Sequence, residues 1–216
     1  MGKGIARYAP LTGFGAVVLG AIGILLFQTW ADEPSSKAPA AELATWMNDK
    51  TWEIIIATWL MWLAGVSFLW FLGSLRGVLR QGEGAPGRVS AIATGGGIVA
   101  VGLFIASFAG VMAGASAAEF DDRVIGPALA ESLYVLSFNG FFLAIEMAVA
   151  VLVLATAIVV LRSAALPKWY GWLGLLYGIW LLILPIGWFG FFGFPIRILL
   201  TTTLVWMADS KARAAT

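Results

Sequence analysis

The sequence predicts an all-α, polytopic membrane protein. Residues 1–216 read as one domain, a bundle of six transmembrane helices with both termini cytoplasmic. Three observations lead there. Of the 216 residues, 61% are hydrophobic and 12% are charged, against about 45–50% and about 25% in a water-soluble domain. Six stretches approach the length of about 20 apolar residues that a helix needs to cross a bilayer. The lysines and arginines between those stretches sort to one side.

The spans are expected at about 11–29, 52–73, 89–114, 133–161, 172–188 and 191–207. The last two are short and separated only by Gly187-Trp188-Phe189-Gly190, read as the turn of a tight hairpin; one long broken element is the alternative. Lys3, Arg7, Arg76, Arg80, Arg88, Arg162, Lys168, Lys211 and Arg213 then fall on one side, and Lys37, Lys50 and Arg123 on the other. Nine against three makes the first side cytoplasmic. Lys3 and Arg7 precede the first span, and Thr29-Trp30-Ala31 is a poor cleavage site because tryptophan is bulky, so an uncleaved helix is expected. The localisation that follows is a multi-pass cell-membrane protein.

Composition also limits the chemistry. Histidine and cysteine are absent, which removes the commonest general base and metal ligand, every disulfide and every thiolate. No metal and no cofactor are expected. A net charge of +1 provides no field for nucleic acid. Nothing resembles a nucleophile, metal cluster or nucleotide loop, so no enzyme is expected. Glu119, Asp121 and Asp122 lack the ligand pattern of a calcium loop and read as solvated charge.

Between the spans, Pro39 is expected to keep the next stretch extended, and Ala40 to Asn48 reads as a short amphipathic helix lying on the surface. Gln81 to Gly87 (QGEGAPG) is flexible by composition. Trp30, Trp46, Trp52, Trp169, Tyr170 and Trp172 read as an aromatic belt at the headgroups.

One segment carries a resemblance. Leu161-Arg162-Ser163 is followed by Ala165-Leu166-Pro167-Lys168-Trp169-Tyr170-Gly171-Trp172-Leu173-Gly174. This pattern resembles uncharacterised six-helix membrane proteins of high-GC bacteria. The resemblance implies the architecture and transfers no catalytic residue.

Glu146 stands near the middle of the fourth span, where a carboxylate facing lipid costs at least about 2.5–3.5 kcal/mol. Asn139 and Ser132 precede it at heptad spacing, so the three form a polar line on one helix face. Such a line serves either as a structural hydrogen-bond set or as an ion or proton path. Arg197, in the sixth span, either snorkels outward or pairs with Glu146 or another carboxylate. Helix packing is expected from Gly102, Ala106, Gly110 and Gly114, a small residue every fourth position, and from Gly174 and Gly178. Thr94-Gly95-Gly96-Gly97 is a loose stretch, and Thr201-Thr202-Thr203 should bond back to the backbone.

The first expectation is therefore a non-catalytic protein packing as a homo-oligomer or as an accessory subunit of a membrane complex, with membrane lipids as partners and a lipid or other apolar ligand. The alternative is a small ion channel or proton-coupled transporter using Ser132, Asn139, Glu146 and Arg197.

Overall fold

Prolines stand at several of the helix starts in this computed structural model, which describes residues 8–163, 165–183 and 187–214. Among those residues every regular element is helical. A single 3-10 turn, Ala9–Leu11, leads into α1, Thr12–Thr29. Pro39 caps α2, Ala40–Asp49, and α3, Thr51–Glu83, follows at once. Then come α4, Arg88–Phe120, and α5, Pro127–Val135. A π turn, Leu136–Gly140, joins α5 to α6, Phe141–Arg162. Pro167 precedes α7, Lys168–Ile183, and α8 runs Gly187–Ala214.

Four helical stretches are long and apolar enough to cross a membrane: Ala9–Thr29, Thr51–Glu83, Arg88–Phe120 and Pro127–Arg162. The fifth expected span corresponds to α7, which has 16 described residues, and the sixth to the shorter apolar part of α8, Gly193–Ala208. The turn expected at Gly187–Gly190 is corrected, because α8 already begins at Gly187. Glycine costs a helix only about 1 kcal/mol, so two glycines flanking two aromatics do not force a break. Pro185 lies outside the described residues, and Pro195 sits inside α8.

The chain divides into two compact units. The first, here the aromatic unit, comprises Val18–Gly65 and Gly102–Phe142. Its core is built on α2, which buries Leu43, Ala44, Trp46 and Met47 at the spacing of one helix face. Phe27 meets the Trp46 and Phe108 rings edge-on, at 5.5 and 5.9 Å between centroids. The Trp46 indole N–H donates to the Ala31 carbonyl at 2.7 Å. Trp46 is thus a core residue and not part of an interfacial belt. Gly110 and Gly114 admit close neighbours: a Cβ on Gly110 would stand 2.8 Å from the Leu133 carbonyl, and one on Gly114 would stand 3.0 Å from the Met47 sulfur. Gly102 is different, with nothing within 4 Å. A four-residue step advances 40° beyond a full turn, so a ladder from 102 to 114 rotates by about 120° and cannot face one neighbour throughout.

Loops of this unit are pinned by side chains. Asn48 donates to the Ile125 carbonyl at 3.0 Å and accepts from the Ile125 N–H at 2.9 Å. Glu119 accepts from the Thr51 hydroxyl and the Trp52 indole. Asn48→Ala is therefore expected to lower stability by about 1–3 kcal/mol, read as the thermal midpoint in detergent. Tyr134 donates to the Glu33 carboxylate at 2.9 Å. Burial raises the Glu33 carboxyl above its ordinary range, and the Tyr134 bond lowers it in part. The folded state then holds this proton more readily than the unfolded one. The cost of the ionised form is complete above the folded value and disappears below the unfolded value. The thermal midpoint of the wild type minus that of Glu33→Gln should rise as pH falls from neutral into the carboxylate range. A constant difference would exclude this linkage.

The second unit, the arginine unit, comprises the described residues up to Val17, Val66–Val101 and those from Leu143 onward. Its turns are caps. The Glu83 carboxylate accepts from the Val89 and Ser90 N–H groups, each at 2.8 Å, and from the Ser90 hydroxyl, closing the start of α4. Gly84 and Gly87 take φ of +79° and +70° to make that turn. The expected flexible stretch Gln81–Gly87 is thus a capped turn, because Glu83 satisfies the N–H groups that a loose loop would leave free. Lys168 closes the other end of the motif, donating to the carbonyls of Val160, Leu161 and Ser163 at the end of α6.

Glycines bring these helices together. A Cβ on Gly171 would press on Leu161, one on Gly174 on Ala157, and one on Gly178 on Leu154, so one face of α7 lies on α6. Gly96 lies within the continuous helix α4, where a Cβ would stand 2.8 Å from the Leu152 nitrogen and 3.0 Å from the Ala148 carbonyl of α6. It is a packing residue, and the stretch Thr94–Gly97 expected to be loose is continuous helix. Gly96→Ala should destabilise by about 1–3 kcal/mol by overpacking against backbone. Gly102→Ala should be neutral or stabilise by up to about 1 kcal/mol through helix propensity. Thermal midpoints of the two variants check the contrast.

Candidate functional site: a buried arginine among hydroxyls

Arg197 of α8 is only 9% exposed. Its guanidinium carbon lies 4.5 Å from the centre of the Tyr170 ring, a cation–π contact. The guanidinium also fills the place where a Cβ on Gly174 would be. Arg197 therefore does not snorkel. It turns onto α7, where the missing side chain of Gly174 makes room and Tyr170, 1% exposed, supplies the ring face.

The hydroxyls around it have assigned roles. Thr201 donates to the Arg197 carbonyl at 2.6 Å, one turn back along α8. That commits its only hydrogen, so in the bond joining Tyr170 and Thr201 the tyrosine is the donor. Thr156 donates to the Leu152 carbonyl at 2.7 Å. Arg197, Tyr170, Thr156 and Thr201 line a void of about 20 Å³ whose apolar walls include Phe71 and Leu152. The Arg197 Nη2 atom has no hydrogen-bond partner. The void is thus lined by a guanidinium residue and three hydroxyl residues, a polar set that suits a single water molecule.

Glu146 is 6% exposed, and neither carboxylate oxygen has a hydrogen-bond partner. No ion pair joins it to Arg197. Tyr177 of α7 reaches α8, where a Cβ on Gly193 would stand 3.0 Å from its ring.

The expected polar line is not continuous. Ser132 is exposed, and its hydroxyl donates to the Ala128 carbonyl of its own helix at 2.8 Å. The side chain of Asn139 lies outside the described residues. The π turn at Leu136–Gly140 interrupts the 3.6-residue period on which heptad spacing depends. Ala106 is half-buried in α4. Thr201 and Thr203 make the expected bonds to the backbone, whereas the Thr202 hydroxyl is buried without a partner.

Tyr170 and Tyr177 are the residues that sequence reasoning passed over. Tyr170 lies between two tryptophans in the Lys168–Leu173 run and looks like an interfacial anchor. The signal was its spacing: Tyr170, Gly174 and Tyr177 fall at i, i+4 and i+7, one face of α7. In the aromatic unit a groove of about 620 Å³ runs between α2 and residues 122–127. It is open, and Asn48 at its wall is already bonded to Ile125. No protein family, curated protein or solved structure matches the chain.

Proposed function

We propose that this chain is a non-catalytic, multi-pass protein of the cell membrane, with six spans and both termini cytoplasmic. It packs with copies of itself or as an accessory subunit of a membrane complex, and its apolar faces contact lipid. The resemblance of the Leu161–Gly174 segment to six-helix membrane proteins of high-GC bacteria belongs to the same proposal. The observation that carries it is the enclosure of the buried charge. Arg197 is packed by Tyr170 and Gly174 beside a void of about 20 Å³, whereas pockets for small molecules measure about 300–1,000 Å³. The outward surface is supporting evidence. Val18, Ile22 and Leu25 of α1, and Trp59, Val66 and Trp70 of α3, are all exposed. Apolar side chains in such number are compatible with lipid and poorly compatible with water.

One observation favours a second reading, a proton or cation path. The Glu146 carboxylate is buried without a hydrogen-bond partner, and an ionisable side chain inside a span marks a candidate proton or ion pathway. A flux assay separates the two. The full chain is reconstituted in phosphatidylcholine vesicles containing a pH-sensitive dye, beside Glu146→Gln. Flux no greater than through protein-free vesicles is the expected result. Wild-type flux that Glu146→Gln abolishes would replace the first reading with the second.

A further inference from the structure

We propose that Arg76, Arg80, Arg88 and Arg162 form a binding site for the phosphodiester headgroup of an anionic phospholipid. This inference rests on the membrane reading above. All four arginines are exposed, and none makes an ion pair or a side-chain hydrogen bond. All four belong to the arginine unit, and contacts draw their helix ends together. Arg76 and Arg80 are one turn apart on the same face of α3. The stem of Arg80 lies 3.4 Å from where a Cβ on Gly87 would be, beside Arg88 at the start of α4. A Cβ on Gly82 would stand 2.8 Å from the Ser163 hydroxyl, which brings the end of α6 and Arg162 against the end of α3.

The acid at the end of α3 is already engaged. Glu83 spends both carboxylate oxygens on the Val89 and Ser90 N–H groups. Lys168 is held by the last carbonyls of α6, so it adds a fixed positive charge without competing for a ligand. Four guanidiniums without a protein acceptor match phosphate oxygens, which they bind in a bidentate fashion. Trp169 and Trp172, 50% and 59% exposed, stand just beyond the Lys168 cap, where indoles meet headgroups. Clusters of four to eight basic residues at the cytoplasmic ends of spans attract acidic lipid.

The test uses the full chain in phosphatidylcholine vesicles carrying a small fraction of brominated lipid, with quenching of tryptophan fluorescence as the readout. Brominated phosphatidylglycerol should be enriched around the protein about tenfold over brominated phosphatidylcholine. In the quadruple variant Arg76→Gln, Arg80→Gln, Arg88→Gln, Arg162→Gln the enrichment should fall to unity. These side chains are exposed, and circular dichroism checks that the variant folds. Equal quenching by both lipids in the wild type would overturn the proposal, as would undiminished enrichment in the variant. Complete competition by soluble glycerophosphate would overturn it too, by making the ligand a free phosphate. Failure of the wild type to enter phosphatidylcholine vesicles at all would instead reject the membrane reading on which the proposal stands.

Discussion

Replacing Tyr170 with leucine should cost about 3–5 kcal/mol of stability, and about 2 kcal/mol of that loss should vanish when Arg197 is changed to methionine as well. Two terms add in the single variant. The ring is 1% exposed, so shortening it leaves a cavity against Phe71 and Leu152; large-to-small core changes cost about 2–5 kcal/mol. The Arg197 guanidinium, 4.5 Å above the ring, also loses a cation–π contact worth about 2 kcal/mol in a dry site. It stays buried, since Gly174 and the α7 backbone still enclose it. Removing the charge with the ring relieves that second term, because a buried charge is costly only while it lacks compensation. A double-mutant cycle on Tyr170→Leu and Arg197→Met, read as thermal midpoints in detergent, should therefore show coupling of about 2 kcal/mol. Strict additivity would mean that the ring and the guanidinium do not interact. Tyr170→Phe isolates the hydroxyl, whose bond to Thr201 is worth about 1 kcal/mol.

Different parts of this arrangement were legible in the sequence to different degrees, for physical reasons. Hydropathy and length marked the four long helical stretches, since apolar runs near 20 residues have few other uses. The amphipathic run from Ala40 to Asn48 marked α2, but not that Leu43, Trp46 and Met47 turn it into the core. Glu146 and Arg197 stood out because charge is rare in apolar runs, and both are buried. Their surroundings were hidden. A heptad line presumes an unbroken α-helix, and the five-residue π turn before Phe141 has no clear signature in Leu136–Gly140. The turn at Gln81–Gly87 looked loose because glycine dominates it, while the residue that orders it, Glu83, acts through side-chain bonds that composition does not reveal. Tyr170 was misassigned because an interfacial and a buried tyrosine look the same when flanked by tryptophan. Only the neighbouring helix, with Arg197 reaching across at Gly174, separates them.

Trp46 carries the same distinction in the aromatic unit, where its replacement by alanine should cost about 3–5 kcal/mol. The indole is 5% exposed. It packs edge-on against Phe27 and Tyr134, with centroids 5.5 and 6.3 Å away, and its N–H holds the Ala31 carbonyl at 2.7 Å. Aromatic pairs of this geometry add about 0.5–1.5 kcal/mol beyond the area they bury. Losing the indole also strands the Ala31 carbonyl in a residue that is fully buried. Trp46→Phe divides the effect, since it keeps a ring against Phe27 and removes only the donor; it should cost about 1–3 kcal/mol. Trp59, 54% exposed, provides the control. It meets only the tilted ring of Trp62 at 6.1 Å among the ring contacts observed, so Trp59→Ala should cost at most about 1 kcal/mol. Thermal unfolding of the three variants in one detergent orders them as Trp46→Ala, Trp46→Phe and Trp59→Ala. Equal losses for Trp46→Ala and Trp59→Ala would show that both indoles serve the lipid boundary. The expected order would instead make burial against Phe27 and Ala31, and not residue type, the source of the stability that Trp46 provides.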